Sequence, residues 1–312
     1  MIFIEMNIKN IIHKILHFKV GYFKVLTILL INSLEPILSD SLYLKLLFYL
    51  RVRYWPDLKN PRSFNEKLQW LKLNDIHPEY GKLVDKITVK DYVVKKIGEE
   101  YLIPTIGVYN TIEDIDWNKL PSQFVLKSTC DSGGVIICKD KNSLDIKSAV
   151  RKLRKSAKRD YSRYNKEYPY KYVTHRYIAE TYLSDESGLE LKDYKFFCFN
   201  GEPKFVQLDF DRFVNHRRNV YDSKWNLIDL QILFPKGHDR VFPKPINFED
   251  MLEIASKLSE GIPHVRIDLY NIKGKIYFGE MTFFHGSGME PFTPREWDYV
   301  FGEHIILPSI NK

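Results

Sequence analysis

The stretch VRIDLYNIKGKIYFGEMTF, Val265 to Phe283, constrains the fold more than any other part of the sequence. It reads as two strands around a turn. Alternation puts Arg266, Asp268 and Tyr270 on one face of the first strand, with Val265, Ile267 and Leu269 on the other. Ile276, Phe278, Glu280 and Thr282 share a face of the second. A three-residue loop, Lys273-Gly274-Lys275, would set Asp268 opposite Glu280 with Cβ atoms ~5 Å apart. Two carboxylates that close repel unless a cation lies between them, and hard oxygen donors suit Mg²⁺. Arg266 adds a planar donor fork aimed at the same spot, an arrangement that suits a nucleotide's terminal phosphates. The pattern equally suits a half-exposed hairpin with an acidic face, and the stretch alone leaves both readings open.

The chain has 312 residues, room for one large domain or two to three small ones. With 44% hydrophobic and 14% aromatic residues, core material is ample. Lys and Arg number 47 against 40 Asp and Glu, a formal charge of +7 that suits an anionic partner without choosing among nucleotide, acidic sugar, lipid or nucleic acid. Cys130, Cys138 and Cys198 are odd in number and lack CxxC spacing, so they read as buried thiols of a reducing compartment. No stretch reaches the ~18 uninterrupted apolar residues of a membrane span. Val25 to Leu34 has about half that length and no small-residue cleavage site behind it. A cytoplasmic protein is expected.

Along the chain, Ile8, Ile11, Ile12, Ile15 and Leu16 follow helical spacing opposite Lys9, His13, Lys14 and His17. Such a basic amphipathic helix docks on its own protein or lies on an anionic membrane. Residues 1–40 are therefore a candidate contact with the inner face of a membrane. Ser41 to Arg53 continues helical, and Trp55-Pro56 and Asn60-Pro61 mark a boundary near residue 60. Ser63 and Glu66 have capping-box spacing before a helix, and a second helix is expected from about Asp85 to Ile97. YLIPTIGVY reads as an extended, largely buried segment, and TIEDIDWNKLP as a short helical link. Phe124 to Lys127 is a strand entering STCDSGG, where Lys127 and the N–H groups of Ser132, Gly133 and Gly134 can converge on anionic oxygens; a plain surface turn fits as well. Ser143 to Lys158 is an amphipathic helix with a basic face. The segment after it interleaves Tyr161, Tyr164, Tyr168, Tyr170 and Tyr172 with Arg159, Arg163, Lys166, Lys171 and Arg176. It can grip an acidic ligand or simply half-bury its rings. Asn200-Gly201 is a strong hairpin signal, Arg212, His216, Arg217 and Arg218 crowd a basic loop, and Asn247 to Glu260 is the last clear helix before the Val265 hairpin.

Taken in order, Lys86 at a helix start, Lys127 with its Gly-rich turn, the E-x-x-L of Glu180 to Leu183, then R-x-D and a downstream Glu resemble the ATP-grasp superfamily. More closely, FNEKLQWLKL, LVDK, YLIPTIGVY, FVLKSTCDSGG, IAETYL, DYKFFCFNGEPK and the opening hairpin are similar to the TupA-like ATP-grasp family, from about Arg51 onward. The resemblance implies an α+β ATP-grasp fold, two subdomains clasping Mg-ATP, behind a helical N-terminal region. The expected divisions are a basic helical region over 1–60, a helical lead-in over 61–122, a lid subdomain over 123–183 and a catalytic subdomain over 184–312. Lys86 and Lys127 would contact phosphates, and Ser132 to Gly134 would cover them. Glu180, Thr181 and the backbone through Leu183 would read the adenine, with Glu186 or Glu190 as the ribose acid. Asp268 and Glu280 would hold one or two Mg²⁺ ions. Thr282 stands where many ATP-grasp enzymes carry Asn, and Cys130 and Asp131 stand where close relatives commonly carry histidine in the lid.

Arg266, with Lys195 and Arg217, is the candidate catalytic set. Arg212, His216, Arg218 and the N–H groups of Gly286, Ser287 and Gly288 are candidates for the acceptor. The implied chemistry is phosphorylation of a carboxylate by ATP, then attack by an amine. TupA-like proteins are associated with surface polysaccharide and teichuronopeptide synthesis, so an amino acid and an acidic sugar, nucleotide- or lipid-linked, are the expected substrates, and nucleic acid is not an expected partner. The alternatives are a glycosyltransferase of the same pathway and a non-catalytic protein binding membrane or nucleic acid.

Overall fold

The computed structural model describes residues 25–130, 133–185, 191–211, 215–237 and 240–309. Two antiparallel sheets face each other across a cleft. The smaller has the order β1-β4-β2-β3, built from β1 (Thr105–Tyr109), β2 (Phe124–Ser128), β3 (Val135–Cys138) and β4 (Tyr177–Thr181). The larger runs β11-β10-β5-β6-β7-β8, from β5 (Asp193–Phe199), β6 (Glu202–Phe210), β7 (Arg217–Asp222), β8 (Leu227–Ile228), β10 (Val265–Ile272) and β11 (Lys275–Thr282). A short pair, β9 (Gln231–Ile232) with β12 (Phe292–Thr293), closes one end. The α+β, two-sheet architecture expected from the sequence is the observed one.

Alternation makes the large sheet two-faced. Tyr194, Phe196 and Cys198 of β5 and Val265, Ile267 and Leu269 of β10 face the buried side, where the Phe248–Ser259 helix packs, with Phe248 stacked on Phe196. The other face carries the charged residues of the same strands. The Phe64–Asn74 helix is nucleated by a complete capping box: Ser63 Oγ accepts from the Glu66 N–H and Glu66 Oε2 accepts from the Ser63 N–H. Phe64, wholly buried, then joins the core of the large sheet through edge contacts with Phe197 and Phe301.

Several expectations are corrected. The hairpin turn has two residues, not three, because Ile272 pairs with Lys275. Lys273 and Gly274, at φ 52° and 84°, supply the left-handed pair that a tight twisted hairpin requires. Asp268 nevertheless pairs with Glu280, since a bulge at Gly279 inserts one residue between the Leu269–Phe278 and Asp268–Glu280 pairs. Lys86 lies in a turn between two short helices, Tyr80–Val84 and Val89–Lys96, and not on one helix from Asp85. The 61–122 segment is no separate lead-in: its first helices pack on the large sheet, while β1 is an edge strand of the small sheet and is mostly exposed. The 123–183 lid therefore gains an earlier strand. The Tyr-rich segment serves internal packing: Lys166 is buried and bonds Glu35 at 2.5 Å, and Arg163 bonds Glu35 at 2.9 Å. The amphipathic pattern over residues 8–17 lies outside the described residues.

At Gly279 an added Cβ would stand 2.9 Å from the Asp268 carbonyl oxygen. Gly279→Ala is expected to cost about 1–3 kcal/mol in urea unfolding, the usual effect of a forced backbone shift in a packed sheet. A wild-type unfolding midpoint would mean that the bulge does not depend on glycine.

Candidate functional site

The cleft between the sheets encloses about 1020 Å³. Val125, Lys127, Gly133, Val135 and Ile137 line its small-sheet side; Asp193, Lys195, Asp268, Tyr270 and Glu280 line its large-sheet side. Lys86 and the β4 exit, Glu180 through Leu183, border it as well. A more open hollow along the Ile146–Ala157 helix is lined by basic and aliphatic chains and includes none of these residues.

Sheet register explains why the charges meet. Glu280 on β11, Asp268 on β10 and Lys195 on β5 are successive partners across three strands. Arg266 donates from Nε to Asp268 Oδ1 at 2.6 Å and from Nη2 to Asp268 Oδ2 at 2.7 Å, a bidentate fork. The same Nη2 reaches Glu280 Oε1 at 3.0 Å. Lys195 Nζ donates to Asp268 Oδ2 at 2.6 Å and also to Asp193. Burial works to raise the Asp268 carboxyl against the pull of Arg266 and Lys195. Burial would raise Glu280 too, but Lys86, Arg266, Lys195 and Lys127 outweigh it and bring that carboxyl down to about 2. Glu280 is thus an anion held ready by four cations, with 35% of its side chain exposed to the cleft.

Across the cleft, Glu180 accepts from Lys90 Nζ at 2.6 Å and Lys127 Nζ at 2.7 Å. Burial pushes its carboxyl up, yet the two lysines prevail and lower it. Glu180 therefore fixes a lysine pair, and its carboxylate is engaged there instead of standing open. The Thr181 N–H is committed to the Pro104 carbonyl at 3.0 Å, while Tyr182 and Leu183 line the cleft. Gly134 packs tightly, since a Cβ there would stand 2.4 Å from Ser156 Oγ. Ser132, Arg212, Glu186 and Glu190 lie outside the described residues.

The remaining candidates go elsewhere. Arg217 opens β7 opposite Phe210 and does not line the cleft. Arg218 is buried, donating to Asp209 Oδ1 at 2.7 Å and Glu290 Oε2 at 2.8 Å. His216 stacks on Phe234 with centroids 3.8 Å apart. Residues 285–288 turn toward the Phe64–Asn74 helix: the Ser287 carbonyl accepts from Lys72 Nζ at 2.8 Å, and the Ser287 N–H donates to Phe284. A Cβ on Gly288 would meet Gln69 Nε2 at 2.4 Å, and Gly286 stands against the Glu290 side chain. The Ser287 N–H is thus turned inward, not toward an acceptor. Thr282 Oγ1 accepts from Arg266 Nη2 at 3.1 Å and donates to Glu280 Oε1 at 3.3 Å, so it steadies that carboxylate.

Sequence reasoning missed Lys90, Asp193 and His285. Lys90 follows Lys86 by four positions, and Asp193 shares a strand face with Lys195; both spacings were available signals. His285 had none. Its Nδ1 lies 2.7 Å from Arg266 Nη1, and burial pushes the imidazole down to about 4, so a neutral ring accepts the guanidinium's remaining edge.

Among the described residues, no group of three or more His, Cys, Asp or Glu side chains forms a metal cage. Glu280, 35% exposed to the cleft, fits Mg²⁺, a hard ion usually held by one or two carboxylates together with water and substrate phosphates, and Asp268 beside it joins only by giving up a bond to Arg266 or Lys195.

Two antiparallel sheets thus close on a cleft whose larger sheet bears R-x-D opposite a glutamate, as the ATP-grasp resemblance implies. Residues 66–306 match the family described as TupA-like ATPgrasp, and the chain belongs to that family. No curated protein matches it. Similar solved structures include D-alanine–D-alanine ligase from Bacillus anthracis complexed with ATP, at 14% identity and a TM-score of 0.35, over 62% of this chain and 52% of that one. N5-carboxyaminoimidazole synthetase from Staphylococcus aureus complexed with ADP is 14% identical, with a TM-score of 0.39, over 64% and 44%. L-amino acid ligase from Bacillus licheniformis is 14% identical, with a TM-score of 0.39, over 72% and 49%. The chain spans about half the length of these proteins.

Removing Lys195 leaves buried Asp268 without one of its cations. Lys195→Met is expected to lose about 3–5 kcal/mol of stability near neutral pH. The loss should shrink on acidification. Burial already holds the folded-state carboxyl above its ordinary value, and losing one of its two cations raises it further, so the folded variant binds more protons than its unfolded chain and regains stability as pH falls. Urea unfolding of the variant at pH 8 and pH 5 checks the sign.

Proposed function

We propose that this protein is an ATP-dependent carboxylate–amine ligase that works through an acyl phosphate. The observation that carries the reading is Glu280, bonded by Arg266 Nη2 at 3.0 Å and facing a cleft that Lys86, Lys127 and Lys195 also line, in a chain of the ATP-grasp family. Lys127 and Lys86 meet the nucleotide's phosphate oxygens, with Lys127 aimed by Glu180. Arg266, gripped along one edge by Asp268 and on another by His285, presents fixed positive charge where the transferring phosphoryl group develops negative charge. Asp268 and Glu280 are the residues that would hold Mg²⁺, which would supply further positive charge against the phosphates. Closure of the small sheet over the large one excludes water from the acyl phosphate until the amine attacks. The apolar walls contributed by Val125, Val135, Ile137 and Leu183 suit a base ring.

In this reading, which membership of the TupA-like family supports, an amino acid supplies the amine and a uronic acid carried on a nucleotide or lipid supplies the carboxylate, in surface polysaccharide synthesis. The test is product analysis after incubating the protein with Mg-ATP, pooled amino acids and UDP-uronic acids. ADP and phosphate should form only with both substrates. Glu280→Gln should lower that rate by at least ~10²-fold while leaving the unfolding midpoint near wild type. Release of UDP without ADP would make the protein a transferase instead.

A further inference from the structure

The helix at 25–34 is turned inside out with respect to water. At ~100° per residue, Val25, Leu26, Leu29, Leu30 and Leu34 fall on one half of its circumference, where only Ser33 is polar. Those five side chains are exposed by 55, 47, 58, 59 and 36%. Its polar residues, Thr27 and Asn32, lie on the packed half instead. Asn32 Oδ1 accepts from the Tyr43 hydroxyl at 2.8 Å, and Ile31 is buried among Tyr43, Leu44, Leu47 and Phe48 of the Asp40–Val52 helix. Ile37, 78% exposed, continues the apolar surface. A helix whose outer half meets only water has the opposite pattern.

Charge selects the occupant. Residues 1–53 contain Lys9, Lys14, Lys19, Lys24, Lys45, Arg51 and Arg53, against Glu5, Glu35 and Asp40. The last two acids are already neutralised by Lys166, with Arg163 also on Glu35. A second copy of this chain would bring like charge to like, whereas an anionic lipid surface is complementary. Tyr49 and Trp55, exposed neighbours with ring centroids 6.2 Å apart, are side chains suited to headgroup depth. Among the described residues no helix is long and apolar enough to cross a membrane. The exposed apolar half of this element suits seating in a bilayer's surface.

We propose that the helix at 25–34, seated on the Asp40–Val52 helix, docks this protein on an anionic lipid bilayer. The proposal is independent of the reading of the cleft. The full chain should co-sediment with mixed phosphatidylglycerol–phosphatidylcholine vesicles, much less with phosphatidylcholine alone, and less as salt is raised. The triple change Leu26→Ser, Leu29→Ser, Leu30→Ser should weaken binding by more than ~tenfold, because three leucines no longer leave water. All three are exposed in the free protein, so the unfolding midpoint should stay at the wild-type value. Unchanged vesicle binding by the triple variant would overturn the proposal, as would equal binding to the neutral vesicles. So would a wild-type chain that ignores both vesicles, whether monomeric or as a dimer dissociated by the same substitutions.

Discussion

The site rests on one buried bond set, the fork from Arg266 to Asp268 with Lys195 on the same carboxylate. Isolated charges inside a protein are costly, and a buried ion pair is tolerated only where geometry and further hydrogen bonds satisfy both partners. Here the sheet supplies that geometry. Adjacent antiparallel strands place Lys195 directly across from Asp268, and alternation sends the apolar partners of both to the opposite face, under the Phe248–Ser259 helix. Burial of that apolar face favours the fold, and the polar face is carried along with it. Function and stability are therefore not separable at Lys195 or Arg266 in the way they are at Glu280, which remains partly open to the cleft.

Much of this was legible in the sequence, since a period of two is unambiguous over eight residues. The acidic pairing of Asp268 with Glu280 was read correctly from the hairpin, although its turn was misjudged by one residue. The two discrepancies cancel only beyond the bulge at Gly279: Glu280 and Thr282 join Asp268 and Arg266, whereas Ile276 and Phe278, expected on the same face as Glu280, turn with Leu269 into the core. Nothing in local propensity distinguishes a glycine that opens a bulge from one that merely interrupts a strand. What separates them is the approach of the Asp268 carbonyl, a tertiary contact. YLIPTIGVY is extended through β1 as expected, but the burial expected of it fails for a similar reason. It is apolar enough to look buried, but its strand sits at a sheet edge, where one flank has no partner strand.

Basic residues were the least legible. Their types suggested anion binding throughout, yet a cation's role depends on which carboxylate folding brings to it. Arg218 finds Asp209 and Glu290, Lys166 finds Glu35 and Asp40, and both become internal ties. Lys127 also finds a carboxylate in Glu180, but at the rim of the cleft and beside Lys90, so two positive charges share one negative one. That surplus separates it from the other two. Where acids balance cations, the pair is structural; where cations exceed acids around an open cavity, the residual field can act on an anionic ligand.

The same accounting of partners extends from Arg266 outward. His285 meets one edge of its guanidinium, Glu290 Oε2 lies 3.0 Å from the far nitrogen of His285, and Arg218 donates to that same Glu290 oxygen. Arg218 continues to Asp209. Glu290 feels its own burial first, which raises its carboxyl, but His285 and Arg218 overcome it and hold it down near about 2. Arg266 can only donate, so Nδ1 of the neutral His285 is the acceptor, and the other ring nitrogen stands beside the Glu290 carboxylate. Arg218, from the basic segment expected to grip an acceptor, is thus tied into a buried chain that runs through Glu290 and His285 to Arg266.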